Sequence, residues 1–352
     1  MYSKTVDEIQ TEILSNIPDT YQKTIGFEMW DFSRAVASPI SGLLGNLDIV
    51  YGKNDVDNLT GDELTKWVLQ RKGIVRKPAA YATASLTVAG TFEINIGDIF
   101  ETAGGIQFKA IATATTSPVQ VQCLTAGIIG NVIANSITVM PVTISGVTSA
   151  TNSAPATGGY EQESDSDLRA RYYETCQAPA TSGNIYHYRI WAKEITGVGD
   201  AKVFPLEFGA NTVEIVIIDS NKQPASSDLV TTVQNYIDPD TSGLGEGQAP
   251  IGAYCTVMAA IAKNINVSCN ITLKNGYTIE ESTANIETSI KAYLAGIAFK
   301  QNFVSYAKIG NAIIDSEGVN DYTSLTVNTG VINVSVAAKE VAILNNLAVT
   351  DV

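Results

Sequence analysis

Side chains able to do chemistry are sparse in this sequence, and their spacing favours structure over reaction. The only histidine is His187, set between Tyr186 and Tyr188 in a helical stretch. One histidine does not build a zinc site of the usual kind, and no HExxH pair is present. A serine triad would need His187 as its base, but the chain has no GxSxG elbow to present the serine. Glu163, Asp165 and Asp167 alternate in ESDSD, as calcium ligands do. An EF-hand would continue with a glycine at its sixth position and a glutamate at its twelfth. Leu168 and Arg169 follow instead, so Ser164 reads as an N-cap with acids in the first helical turn. Gly243, Gly245 and Gly247 lead into Ala249-Pro250 and a strand, not into the helix that a dinucleotide fingerprint requires. No catalytic residue, metal ligand or cofactor site is assigned on these patterns, and none of them points to an enzyme.

Bulk composition narrows the classes further. The 352 residues include 36 acidic and 22 basic side chains, a formal charge of -14. The densest basic stretch is Arg71, Lys72, Arg76 and Lys77, which falls at a helix end where cations suit the dipole. This balance argues against nucleic-acid binding. No apolar run approaches the roughly 20 residues of a membrane span, and MYSKTVDEIQTEIL carries no apolar signal region. The chain is therefore expected to be made in the cytosol. Cys123, Cys176, Cys255 and Cys269 form no CxxC pair and read as reduced thiols, mostly buried.

The elements that would carry these residues change character along the chain, giving an α+β, multidomain reading. Residues 1–78 are helical. Thr5 and Glu8 form a capping box ahead of Ile9, Ile13 and Ile17. A second helix spans about 28–51, with a kink or restart expected at Ser38-Pro39. Thr60, Glu63 and Gly73 bound a third. Residues 79–158 change to a period of two: Ala82, Ala84, Leu86 and Val88 alternate with Thr83, Ser85 and Thr87. FEINIG, IQFKAIAT, PVQVQCLTA and NSITVMPVTI continue a small antiparallel β-domain, and SGVTSATNSAPATGG reads as a linker or long loop. Residues 159–275 alternate helices and strands. Residues 276–352 add a capped helix from Thr278, a short helix near Lys308 and three short strands.

The one unexplained pattern is apolar. Val36, Ile40, Leu43, Leu47 and Val50 recur at a/d spacing on a helix with few neighbours in sequence. Such a seam needs a cover, either the chain's own β-domain or a bundle shared between chains. Trp30, Trp67 and Trp191 sit on helices as core anchors, with Trp191 also a candidate interface residue. Arg169 and Arg171 are expected to pair locally with Glu163 and Asp167.

Several blocks also resemble a known family. GGYEQESDSDLRARY, GNIYHYRIWAKEITGVGDAKVFP, GANTVEIVIIDSNKQP and APIGAYCTV, preceded by LTGDELTKWVLQRKGIVRKPAAYATASLTVAG, are similar to the baseplate J-like proteins of contractile phage tails and phage-tail-like bacteriocins. The resemblance runs over about residues 5 to 275 and includes Arg169, Asn184, Trp191, Gly197, Gly199, Asp219 and Pro250. It departs at Ala260, where the family often has proline. It implies a structural baseplate-wedge subunit, assembled in the bacterial cytoplasm and carried in the released tail. The implied partners are a second copy of the chain, a longer wedge protein sharing the helical bundle, a small lysozyme-like protein linking it to the sheath, and the neighbouring wedges and hub. Nucleic acid and membrane are not among them. A receptor-binding tail component is the alternative, and a cell-wall-degrading enzyme a more distant one. Fibres usually carry repeats and trimeric coiled coils, which are missing here.

Overall fold

The computed structural model describes residues 2–177 and 180–351 and divides into two compact units, Met1–Arg76 with Ser164–Glu174, and Lys77–Glu163 with Thr175–Val352. In the first unit, α1 (Val6–Ser15) begins with the expected Thr5–Glu8 capping box. Helix α2 (Glu28–Gly52) runs through Pro39 as one helix, so neither restart nor break occurs there. Pro39 lacks only the N–H that would bond the carbonyl four residues back. A 3-10 turn at Val56–Asn58 leads to α3 (Gly61–Lys72), which ends at Gly73 with φ 68°, as glycine permits. The expected capping box is missing: Thr60 flanks α3 without a side-chain cap, and the Glu63 side chain pairs with Lys53. Leu64 and Val68 of α3 pack with Leu168 of α4 (Asp165–Gln177).

Arg169 does not pair along its own helix. Its guanidinium reaches back to the 3-10 turn, donating to the carbonyls of Val56 at 3.1 Å and Leu59 at 2.8 Å, with Asp57 at 3.5 Å. It therefore adds a second donor to the Val56 carbonyl, which already accepts the Leu59 amide, and ties α4 to the end of the turn.

The second unit opens with a six-stranded antiparallel sheet, nearly closed into a barrel. Its strands are β1 (Thr83–Gly90), β2 (Ile99–Thr102), β3 (Gln107–Ala110), β4 (Val119–Cys123), β5 (Ile137–Val139) and β6 (Val147–Asn152), in the order β5-β2-β3-β4-β1-β6. The alternation read from sequence is kept: Ala82, Ala84, Leu86 and Val88 are buried and the residues between them exposed. FEINIG forms no strand of its own; Phe92 and Ile94 enter the core, and Ile94 makes a single bridge to Ala114.

The expected linker is corrected too. Val147–Asn152 is β6, paired to β1, and its last residue joins the two sheet edges. Asn152 is fully buried. Its Oδ1 accepts from the amides of Ser136 at 3.0 Å and Ile137 at 2.9 Å, and its Nδ2 donates to the carbonyls of Ile133 and Ala154. All four hydrogen-bonding positions of the amide are used.

Beyond the barrel, α5 (Ile185–Glu194) and α6 (Ser227–Ile237) pack with the sheet β7-β8-β9, formed by β7 (Val198–Pro205), β8 (Thr212–Asp219) and β9 (Tyr254–Ala259). Strand β10 (Ile261–Leu273) follows β9 after one residue. It is flanked by β12 (Val319–Val327), antiparallel, and β14 (Glu340–Asp351), parallel. The capped helix α7 (Ile279–Ile297) and α8 (Tyr306–Ile314) cover this sheet with Ile286, Ile290, Leu294, Ile309 and Ile313. A two-strand ribbon of β11 (Phe303–Val304) and β13 (Val334–Ser335) completes the lobe. Of the three strands expected to be short, β12 and β14 run nine and twelve residues. Both gain their length by pairing with β10, a contact remote in sequence.

Asn152→Ala should lower the stability of the barrel by about 2–4 kcal/mol in chemical denaturation, since it strands several buried backbone groups. Ser149→Ala, exposed on the same strand, should stay within about 0.5 kcal/mol of wild type.

Candidate assembly interface

The apolar seam read from sequence lies on α2, and α1 leaves much of it open. Residues 2–10 run antiparallel to 30–48. Gln10 Nε2 donates to the Trp30 carbonyl and the Ser33 hydroxyl, Arg34 meets Asp7 and Gln10, and the Ser41 hydroxyl donates to the Lys4 carbonyl. The Asp48 carboxylate accepts from the Ser3 hydroxyl and from the amides of Tyr2 and Ser3. The stripe that residues 2–10 cover is thus made of small or polar side chains: Ser33, Ala37, Ser41 and Asp48.

About a quarter-turn round the helix lies the apolar stripe. Leu43 is 67% exposed, Leu47 45% and Val50 62%, while Val36 and Ile40 are half-buried. Phe32, at 64%, extends the stripe by a turn. Sequence reading began the row at Val36, although Phe32 precedes it at the same spacing of four. Burying each such side chain would contribute roughly 1.5–3 kcal/mol. Trp191 proves different. It is 8% exposed, stacked against His187 with ring centroids 3.9 Å apart and edge-on to Tyr188, within the chain's own core.

The residues first inspected for chemistry have structural partners. His187 Nδ1 accepts from the Gly183 amide, and its own amide donates to Asn184 Oδ1, the N-cap of α5. Asp165 accepts from the Gly61 amide and from Arg76, which hold its carboxyl below the usual range. Ser164 caps α4 through the Asp167 amide. Among the described residues, no group of three or more His, Cys, Asp or Glu lies together as metal ligands, and no helix is long and apolar enough to cross a membrane.

The GVGD block is also structural. A Cβ at Gly197, φ 97°, would lie 2.7 Å from the Tyr160 ring, and one at Gly199 would lie 2.1 Å from the Asp219 carbonyl. Both positions exclude every side chain because the β7–β8 edge and Tyr160 close on them.

Residues 82–159 match the baseplate J-like protein barrel domain, 180–259 the baseplate J-like central domain, and 265–350 the baseplate J-like protein C-terminal domain. The chain belongs to the baseplate J-like family. Uncharacterized protein YqbT of Bacillus subtilis (strain 168) is 31% identical over 349 residues, 99% of this chain and 98% of its own length. Phage-like element PBSX protein XkdT of the same organism is 31% identical over 92% of this chain and 91% of its own. Baseplate protein gp47 of Escherichia phage Mu is 31% identical over 61% of this chain and 63% of its own.

Two titrating groups give checks on this family member. Asp48 has its carboxyl held low by Ser3 and the Tyr2 and Ser3 amides, so its contribution is present above the ordinary carboxylate pKa of about 4 and is lost as pH falls through the lowered value. Amides of residues 2–5 should lose protection from hydrogen exchange in Asp48→Ala at pH 7, and in wild type only on acidification below about pH 4.

Burial pushes the Asp219 carboxyl up to about 6, against the Gln223 and Asn221 amides and Lys222, which pull it down. A raised carboxyl pKa costs stability as pH rises from about 4 towards that value, because the folded state resists ionisation. Asp219→Asn should therefore stabilise the second unit by roughly 1 kcal/mol at pH 8 and give no gain at pH 4, as read by thermal unfolding.

Proposed function

We propose that this chain is a structural subunit of the baseplate wedge of a contractile injection apparatus, a phage tail or a phage-tail-like bacteriocin. Its work is assembly and transmission of the shape change that starts sheath contraction. Family membership supports the baseplate role, as does the likeness to baseplate protein gp47 of phage Mu. The observation that carries the wedge reading is the water-exposed row of Phe32, Leu43, Leu47 and Val50 on a helix whose other stripe α1 already covers. A long helix with an open a/d row is half of a bundle seam.

In this reading α2 packs with α2 of a second copy and with a helix of a longer wedge protein. A small lysozyme-like protein joins that bundle to the sheath, the lobe at 276–352 meets neighbouring wedges, and the wedges ring the hub. The subunit assembles in the bacterial cytoplasm and leaves in the tail. Its output is a fitted surface and not a turned-over substrate.

Co-expression with the other tail genes and affinity capture of the complex tests this. Leu43→Asp or Leu47→Asp should weaken recovery of the bundle partners at least about 30-fold, because a charge would sit in a closed apolar seam. The barrel and its neighbouring lobes should keep the wild-type melting transition. Wild-type assembly by both variants would remove α2 as the interface.

A further inference from the structure

The lobe 261–351 meets the β7-β8-β9 sheet across a second, small apolar contact. Val216 and Ile218 of β8, Ala260, Ala298 and Val341 are buried there, with Phe204, Phe299 and Ile343 packed round them. The covalent boundary between the two lobes is one residue wide. The Ala260 amide donates to the Ile217 carbonyl on one side, and the Ile261 amide donates to the Lys339 carbonyl on the other. Lysines close the rim. Lys339 Nζ lies 2.6 Å from both Glu207 and Glu214 and 5.1 Å from the centre of the Phe204 ring. Lys202 Nζ donates to the Ala338 carbonyl at 3.0 Å and lies 4.7 Å from the Phe299 ring.

Two features make this joint different from an ordinary core. The Glu214 side chain is 5% exposed and Lys339 is its one ion-pair partner among the described residues, itself 30% exposed. A carboxylate this deep is stable only while its cation stays in place, and without it the group must reach water. Phe299 sits at φ 58°, a region that a bulky side chain rarely adopts unless its surroundings enforce it. The surroundings here are Lys202, from across the joint, and an apolar contact to which both lobes contribute.

We propose that the contact between the β7-β8-β9 lobe and the 261–351 lobe is a latched hinge, pivoting at Ala260 and held shut by Lys339 on Glu207 and Glu214. Releasing Lys339 swings the C-terminal lobe away with both lobes still folded. The two lobes have separate cores, one built on Ile215, Ile217 and Val257, the other on Ile265, Ile290 and Ile309. The inference stands on this joint alone and does not depend on what the chain assembles with.

Native cysteines supply the controls for a thiol-accessibility test. Cys255 is buried in the first core, Cys269 in the second, and Cys176 is exposed. In the full chain carrying Cys176→Ser, Val341→Cys places a reporter inside the joint, where Val341 is 1% exposed. Adding Lys339→Met should raise the reporter's rate of reaction with a maleimide at least about ten-fold, because it leaves Glu214 without its cation. Adding Glu214→Gln to that variant should bring the rate back to within about two-fold, since no buried charge then drives opening. Cys255 and Cys269 should stay unreactive throughout. An unchanged reporter in Lys339→Met, failure of Glu214→Gln to restore protection, or exposure of Cys255 or Cys269 in step with the reporter would each overturn the latch.

Discussion

Strand β8 is buried on both faces, and much of the second unit is organised by that constraint. Ile215 and Ile217 point to the core under α5 and α6, while Val216 and Ile218 point to the joint with the C-terminal lobe. A strand with two apolar faces cannot lie at a surface, so the sheet must be covered twice. The first cover comes from helices close in sequence. The second arrives from residues 298–343, after a long excursion through β10 and α7. That second cover places Glu214 out of water and so makes Lys339 necessary.

The helical unit follows a different logic. Helix α2 has a polar stripe and an apolar stripe, and α1 takes the polar one. Hydrogen bonds and ion pairs at Asp7, Gln10, Ser41 and Asp48 fix residues 2–10 in register and leave Phe32, Leu43, Leu47 and Val50 exposed. Hydrophobic burial is the larger driving force per side chain, yet it is left unspent on this row. A helix arranged in this way keeps an apolar row in water while α1 docks through polar contacts and the buried Ile9 and Ala37.

The residues that give the chain its family likeness have physical roles in the fold. Asn184 caps α5, Gly197 and Gly199 let backbone and ring approach closer than any Cβ allows, and Arg169 satisfies the carbonyls of a 3-10 turn. The Ala260 amide donates to the Ile217 carbonyl, a bond that a proline there, lacking an N–H, would lose.

The sequence by itself determined the local elements and the nature of the exposed row. Capping boxes at Thr5 and Thr278, the period of two from Ala82 to Val88, and the a/d spacing from Val36 to Val50 are short-range patterns, and short-range sterics and hydrogen bonding decide them. Tertiary structure alone decided what depends on residues far apart. Val147–Asn152 looks like a linker because Ser, Thr, Asn and Ala carry little strand signal, and only pairing to β1 makes it β6. Trp191 could have faced in or out until Tyr188 and the adjoining sheet enclosed it. The parallel pairing of β10 with β14 and the latch at Glu214 join segments more than 60 residues apart. Contacts at such separations leave no periodic trace, since they are selected by the shapes and charges of surfaces that exist only after the chain has folded.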